Sequence, residues 1–352
     1  MLKKIILIIG ALVLCALLFL FAHSNFGFNP NYTIGVIKSS TEEFDSAISY
    51  YDENLNLLYS RKLFLCSLTN NSRCFVDLGK KKYMLSDGTY WIGCPDAIEL
   101  DSQTGKIKKY YADANCSLAM TANDRYIFTT YSAKDAYIHR CDKKTGELKK
   151  MTISGSCDGM YLDNNNVLYA FGGDSDRVIS NLYIIDAEKM KILKTFDVKD
   201  KGFYQRQCIK IGDDLYFLNS IKFYKGNKGE GEKCHTLTKF NTKTYEFEDI
   251  DIDMIPRKMV RFEDNLYISS NDDLSNDILA VYNTKTGEVE KKTVEEKSAY
   301  CHMAVDEKNK KLYTTSGTYL RQYDLPSLRL LKKIDCLGKE RKKYTAFVVF
   351  TK

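Results

Sequence analysis

Three observations predict an all-β fold, a seven-bladed β-propeller of four-stranded blades. One short pattern occurs seven times, the copies stand 41 to 55 residues apart, and one unmatched strand lies at each end of the array. Each copy is an alternating apolar run, an Asp or Asn, a polar turn, and a second run rich in Lys and β-branched residues. It is clearest at Ala97 to Tyr111, Ile138 to Ile153 and Ile278 to Val294. It is fainter at Ile48 to Leu63, Leu182 to Val198, Leu237 to Ile252 and Leu320 to Cys336. The turn-opening residues are Asp52, Asp101, Asp142, Asp186, Asn241, Asn283 and Asp324, with separations of 49, 41, 44, 55, 42 and 41. One blade of four short strands takes about 40–50 residues. The longest interval holds a Lys/Gly-rich insertion, Ser220 to His235, which predicts an enlarged loop.

Residues 157–198 show how one blade is written. CDGMYL, VLYAFGG, NLYIIDA and KILKTFDV read as four strands separated by Asn, Asp and Gly clusters. In the third turn, Asp or Asn caps the turn and Gly supplies the positive φ that closes it. The second strand of six blades centres on an aromatic: Tyr90, Tyr126, Tyr169, Tyr216, Tyr267 and Tyr313. Tyr32 to Lys38 precedes the first copy and Tyr344 to Thr351 follows the last. The C-terminal strand is therefore expected to be the innermost strand of the first blade, closing the ring without exposed edges.

The chain has 352 residues and only 4 Pro, with no Pro/Ser-rich linker between copies, so residues 25–352 read as one propeller domain. The 25 Tyr and 18 Phe suit half-buried pleated surfaces. The formal charge of +6 is spread over a large surface, much of it as Lys in the second run of each copy. Solvated outer strands account for it, and a nucleic-acid partner, which requires clustered charge on one face, is not expected.

Residues 1–24 form a separate segment. Lys3 and Lys4 precede the unbroken apolar run Ile5 to Ala22. Eighteen residues at 1.5 Å each give about 27 Å, enough to cross a bilayer core as one transmembrane helix. Basic residues before the run place the N-terminus in the cytoplasm and the propeller outside a single-pass membrane anchor. Ala22-His23-Ser24 also offers small residues at signal-peptide cleavage spacing, so secretion after Ser24 stands as the second reading. Cys15 does not read as a lipoprotein cysteine, because Leu14 is bulky and seven apolar residues follow. The ten other cysteines lie in a compartment that permits disulfides. Cys66 and Cys74 are the best local pair; the other reading is small buried side chains.

The run Tyr282 to Val289 (YNTKTGEV) resembles the repeat of the YVTN-type bacterial propellers, within the wider quinoprotein-like and WD40-like group. The resemblance spans residues 32–352. It implies an extracellular binding module or, in some relatives, an enzyme using a quinone or heme. It transfers no catalytic residue, because the shared positions are turn residues. The heme-attachment spacing C-x-x-C-H is absent.

Candidate site residues gather, on this reading, where the innermost strands begin at the channel mouth. Arg206, Arg257 and Lys258 would capture an anionic group, and Gln207, Tyr300 and His302 would complete the mouth together with Arg73 and Asp158. Cys116, Cys157, Cys208 and Cys301 occupy the same level, a weak candidate set for a soft metal, which would need all ligands within about 2.3 Å of one ion. The other reading makes them small packers between blades. The acidic loops at Asp174 and Asp176 and at Asp272, Asp273 and Asp277 lack calcium-loop spacing and read as turns. No residue pattern specifies a cofactor. The expected function is an extracytoplasmic, membrane-tethered binding module for a protein, peptide or cell-envelope ligand; the alternative is a quinoprotein-like oxidoreductase acting in the central funnel. Removing residues 1–24 and supplying a cleavable secretion signal should release a folded, soluble domain; aggregation of that protein in gel filtration would show that the segment belongs to the fold.

Overall fold

The computed structural model describes residues 28–39, 46–63, 68, 74–85, 96–113, 117–132, 135–174, 176–219, 221–224, 231–270, 278–294, 302–342 and 345–352. They form seven four-stranded antiparallel sheets. From the inside outwards, blade 4 is Ser156–Leu162, Val167–Asp174, Ile179–Asp186 and Lys191–Asp197, close to the strands expected from residues 157–198. Blade 1 is built from both ends of the chain. Its innermost strand is Thr345–Thr351, followed by Ile34–Ser39, Ala47–Tyr51 and Leu57–Lys62. Ile34 stands opposite Thr351, and Val36 opposite Val349.

Blade 2 corrects one expectation. Its second strand is Lys81–Leu85 and centres on the fully buried Tyr83, not on Tyr90, which lies outside the described residues. The reason is local. Gly79 (φ 65°) closes a tight turn directly after the inner strand Phe75–Leu78, so the nearest apolar run pairs first. The insertion in blade 5 carries a small two-stranded sheet, Ile221–Tyr224 paired with Gly231–Lys233, between the blade's second and third strands.

Seven hydrophobic clusters hold the blades together, one at each junction. Ile138, Phe128 and Leu168 belong to the core between blades 3 and 4. Phe171, Phe217 and Phe240 belong to the one between blades 4 and 5. Tyr313 and Leu320 of blade 7 meet Val36 and Val349 of blade 1 in another. Each blade is therefore apolar on both faces, and burying a large side chain there contributes about 1.5–3 kcal/mol.

The repeated turn explains the repeated sequence. Asp101, Asp142, Asp186, Asn241 and Asn283 each accept two backbone N–H bonds with one side-chain oxygen, at 2.8–3.1 Å. Partial burial pushes the Asp142 carboxyl up, but the amides of Thr145 and Lys144 and the Arg125 guanidinium outweigh it and hold the group below its usual value. The left-handed residue that closes the turn is Gly in three blades: Gly105, Gly146 and Gly287. In the other four it is Leu55, Met190, Tyr245 and Leu328, with φ between 54° and 64°. A side chain there costs about 1–2 kcal/mol of backbone strain. All four offset it by packing into a blade junction. The Tyr245 ring, for instance, lies 5.4 Å from Phe196 and 6.2 Å from Phe240.

Tyr245→Gly should therefore destabilise the protein by about 1–2 kcal/mol even though it relieves strain, because the lost burial exceeds the conformational gain. Gly146→Ala, where nothing lies within 4 Å of the new Cβ, should cost about 1 kcal/mol from conformation alone. Chemical denaturation of the two variants measures both; a stabilised Tyr245→Gly protein would contradict the packing argument.

Candidate functional site: the central channel and its mouth

The inner strands of blades 2 to 7 line a central cavity of about 1050 Å³, with Phe75, Thr121, Met160, Gln207, Met259 and His302 among its walls. Side chains of a strand project from the two faces of its sheet. An inner strand presents its edge to the channel, so its side chains run into the two neighbouring blade junctions. Met120, Met160, Met259 and Met303 show this: all four border the cavity, yet all are buried in junction cores.

The same geometry places two of the four cysteines named above. Cys157 is fully buried between blades 3 and 4, and Cys208 is buried between blades 4 and 5. Burial pushes both thiols up, Cys208 to about 12, so both stay protonated at neutral pH. Cys141, Cys157, Cys208 and Cys336 are buried free thiols. Among the described residues, no group of three His, Cys, Asp or Glu is placed to hold a metal ion. Cys116 and Cys301 lie outside the described residues, as do Cys66, Arg73, Tyr300, Asp272, Asp273 and Asp277. Asp174 works in a turn: it accepts bonds from the Arg177 backbone N–H and guanidinium.

The mouth brings together part of the predicted set. Arg206, Gln207 and Lys258 line one small cavity of about 60 Å³ with Ala119, Gly159, Met160 and Cys208. Met160, Gln207 and Cys208 also line the main channel, so the two spaces adjoin. Two local features deliver the side chains. The pairing register shifts between Pro256 and Lys258 at the start of the blade 6 inner strand, and a bulge re-aims the residues it contains. In blade 4 the register shifts between Cys157 and Gly159, where a Cβ on Gly159 would stand 2.2 Å from the Gln205 carbonyl oxygen. Only Gly lets blades 4 and 5 approach this closely. Arg257, half-buried, and Asp158, buried, do not line the small cavity.

Two of the predicted mouth residues, Gln207 and His302, line the channel and also join neighbouring strands. The Gln207 amide donates to the Met259 carbonyl at 2.7 Å and accepts from the Met259 N–H at 2.8 Å, stitching blade 5 to blade 6. His302 borders the channel, but its Nδ1 accepts a 3.4 Å bond from the Val349 N–H and its ring meets Phe75 edge-on at 5.3 Å. It links blade 7 to the C-terminal strand. Burial, reinforced by the nearby Lys258 charge, pushes its pKa down to about 3, so the imidazole is neutral.

A pair that sequence reading missed lies on the channel wall. Lys82, 2% exposed, donates to both Asp77 carboxylate oxygens at 2.6 and 2.7 Å. Burial pushes Asp77 up and Lys82 down, each opposed by the other's charge. The signal was present: Asp77 and Lys82 are direct cross-strand partners around the Gly79 turn. Lys82 reads as a solvated lysine until the turn is placed.

No protein-family model matches the chain, and no curated protein matches it. Solved structures do. The Pan2 WD40 domain of Neurospora crassa superposes with a TM-score of 0.54 at 10% identity, over 80% of this chain and 86% of that one. BamB from Moraxella catarrhalis gives 0.51 at 10%, over 86% and 85%. The dihydro-heme d1 dehydrogenase NirN, in complex with DHE, gives 0.56 at 11%, over 93% and 76%. The chain is thus a seven-bladed β-propeller with neighbours among both WD40 and bacterial propellers. At such identities the likeness shows the fold alone.

His302 makes a pH prediction. Its folded pKa lies below the ordinary histidine value of 6.5, so its contribution to stability is present above about 6.5 and is lost as pH falls towards 3. Unfolding free energies from pH 7 to pH 4 should fall more steeply for the natural protein than for His302→Gln. Parallel curves would show that the imidazole is not held neutral.

Proposed function

We propose that this chain is an extracytoplasmic, membrane-tethered propeller that binds a protein, peptide or cell-envelope ligand at the mouth of its central channel. One observation carries the reading. Arg206 of blade 5 and Lys258 of blade 6 line one cavity that adjoins the main channel. Two cations from separate blades suit a carboxylate or phosphate group on the ligand, with Arg able to grip it bidentately. The tether is the apolar run Ile5 to Ala22, which lies outside the described residues; among the described residues no helix is long and apolar enough to cross a membrane. The repeat at Tyr282 to Val289 supports a YVTN-type origin.

The enzyme alternative has one supporting feature, the Asp77–Lys82 pair. A carboxyl whose pKa burial raises, facing a cavity, is what an acid catalyst requires. A structural ion pair perturbs its members in the same way, and this pair's members are saturated by each other.

Binding titrations against the partner recovered by crosslinking in the native envelope test the proposal. Arg206→Ala and Lys258→Ala should each weaken binding about tenfold or more, and Lys292→Ala on the outer strand less than twofold. Equal affinities for all three would exclude the mouth.

A further inference from the structure

Each blade ends in an outer strand whose far edge has no partner among the described strands. Such edges invite pairing or adhesion unless charged residues guard them. Six outer strands are guarded. At the seventh and eighth residues after the turn-opening Asp or Asn stand Lys108-Lys109, Lys149-Lys150, Leu193-Lys194, Glu248-Asp249, Glu290-Lys291 and Leu331-Lys332. Blade 1 carries Tyr59-Ser60 there. Leu57 and Leu58 precede them, 57% and 42% exposed, and Arg61 is buried with its guanidinium on the Gly105 carbonyl. Its outer strand is the one without an exposed charge from Leu57 to Arg61.

The chain enters the propeller at this strand. The Asn29 N–H donates to the Tyr59 hydroxyl at 3.0 Å, and that hydroxyl donates to the Asn29 carbonyl at 2.8 Å. Phe28 meets Tyr50 edge-on at 5.8 Å and fills the space a Cβ on Gly105 would need. Only five residues, His23 to Gly27, separate Phe28 from the end of the apolar run at Ala22. Fully extended, that stretch reaches about 20 Å. The headgroup layer outside the hydrocarbon core is about 5–8 Å thick. A chain anchored through Ile5 to Ala22 therefore keeps Phe28, and with it the outer strand of blade 1, within about 15 Å of the headgroup layer.

We infer that this corner of blade 1, with Leu57, Leu58 and Tyr59, is the propeller's membrane-contacting surface and orients the channel relative to the bilayer. The chemistry fits an interface. Apolar side chains sit beside a tyrosine, as at the edges of membrane proteins. Lys62 ends the same strand, and Lys352, whose ammonium donates to the Pro30 carbonyl, stands at the chain entry, placed for anionic headgroups. The inference rests on reading Ile5 to Ala22 as a retained anchor.

The test uses the full-length protein in vesicles of phosphatidylcholine and phosphatidylglycerol that contain a lipid with a photoactivated carbene precursor near the glycerol. After irradiation, flotation and digestion, lipid adducts on the peptide spanning Leu57 to Arg61 should exceed those on Lys191 to Asp197 at least fivefold. The second peptide is the control, since its Leu193 is 53% exposed. In the double variant Leu57→Ser, Leu58→Ser, adducts on the blade 1 peptide should fall severalfold while the protein still floats. Both leucines are exposed, so the variant keeps its core. Protein that floats with adducts spread evenly over both peptides overturns the orientation and leaves the anchor standing. Protein that does not float overturns both. Protection of the blade 1 edge in detergent that rises with protein concentration assigns the edge to a second copy and overturns the membrane contact.

Discussion

Everything in this molecule depends on sheets that are apolar on both faces. A two-faced sheet is satisfied only between two others, so an open row of such blades would leave two apolar faces in water. The ring removes both. The junction between blades 7 and 1 has the same character as the other six, with Tyr313 and Leu320 packed on Val36 and Val349. It is also tied by the antiparallel pairing of Ile34–Ser39 with Thr345–Thr351 and by the His302–Val349 bond. Both ends of the chain therefore carry part of the load that holds the first and last blades together.

That constraint shapes the site. Side chains of the inner strands run between blades, so the channel wall is largely strand edge; Gln207 is engaged with Met259 of the next blade and Asp77 with Lys82 of its own. The wall becomes irregular at the level at which strands begin. There, bulges and loops turn Arg206 and Lys258 out of the junctions and into one cavity. A rigid ring thus carries its irregular parts at that level, where scaffolds generally place functional loops. The burial that keeps Cys157 and Cys208 protonated and His302 neutral is the burial that holds the blades together.

The repeated turn shows how one structural demand accepts two answers. Three blades meet the left-handed position with Gly, and four meet it with Leu, Met, Tyr and Leu, whose side chains fill blade junctions. The faint copies of the repeat are faint partly for this reason. The geometry is kept, while the residue that announces it has been exchanged for one that contributes packing.

The sequence by itself determined the number of blades, the order of strands within them, the turn-opening Asp and Asn residues, and the C-terminal strand as the partner of the first. These are local or periodic properties: alternation sets strands, Asx and Gly set turns, and an unmatched strand at each end leaves one arrangement without bare edges. Only the tertiary structure decided which way side chains on the inner strands point. Spacing placed Cys157, Cys208, Gln207 and His302 correctly along their strands, yet it could not say that a strand edge, rather than a face, borders the channel. Nor could it pair Lys82 with Asp77 before the Gly79 turn was known, or choose Tyr83 over Tyr90. Distance along the chain is written in the sequence; the direction of a side chain between two blades exists only once both blades are present.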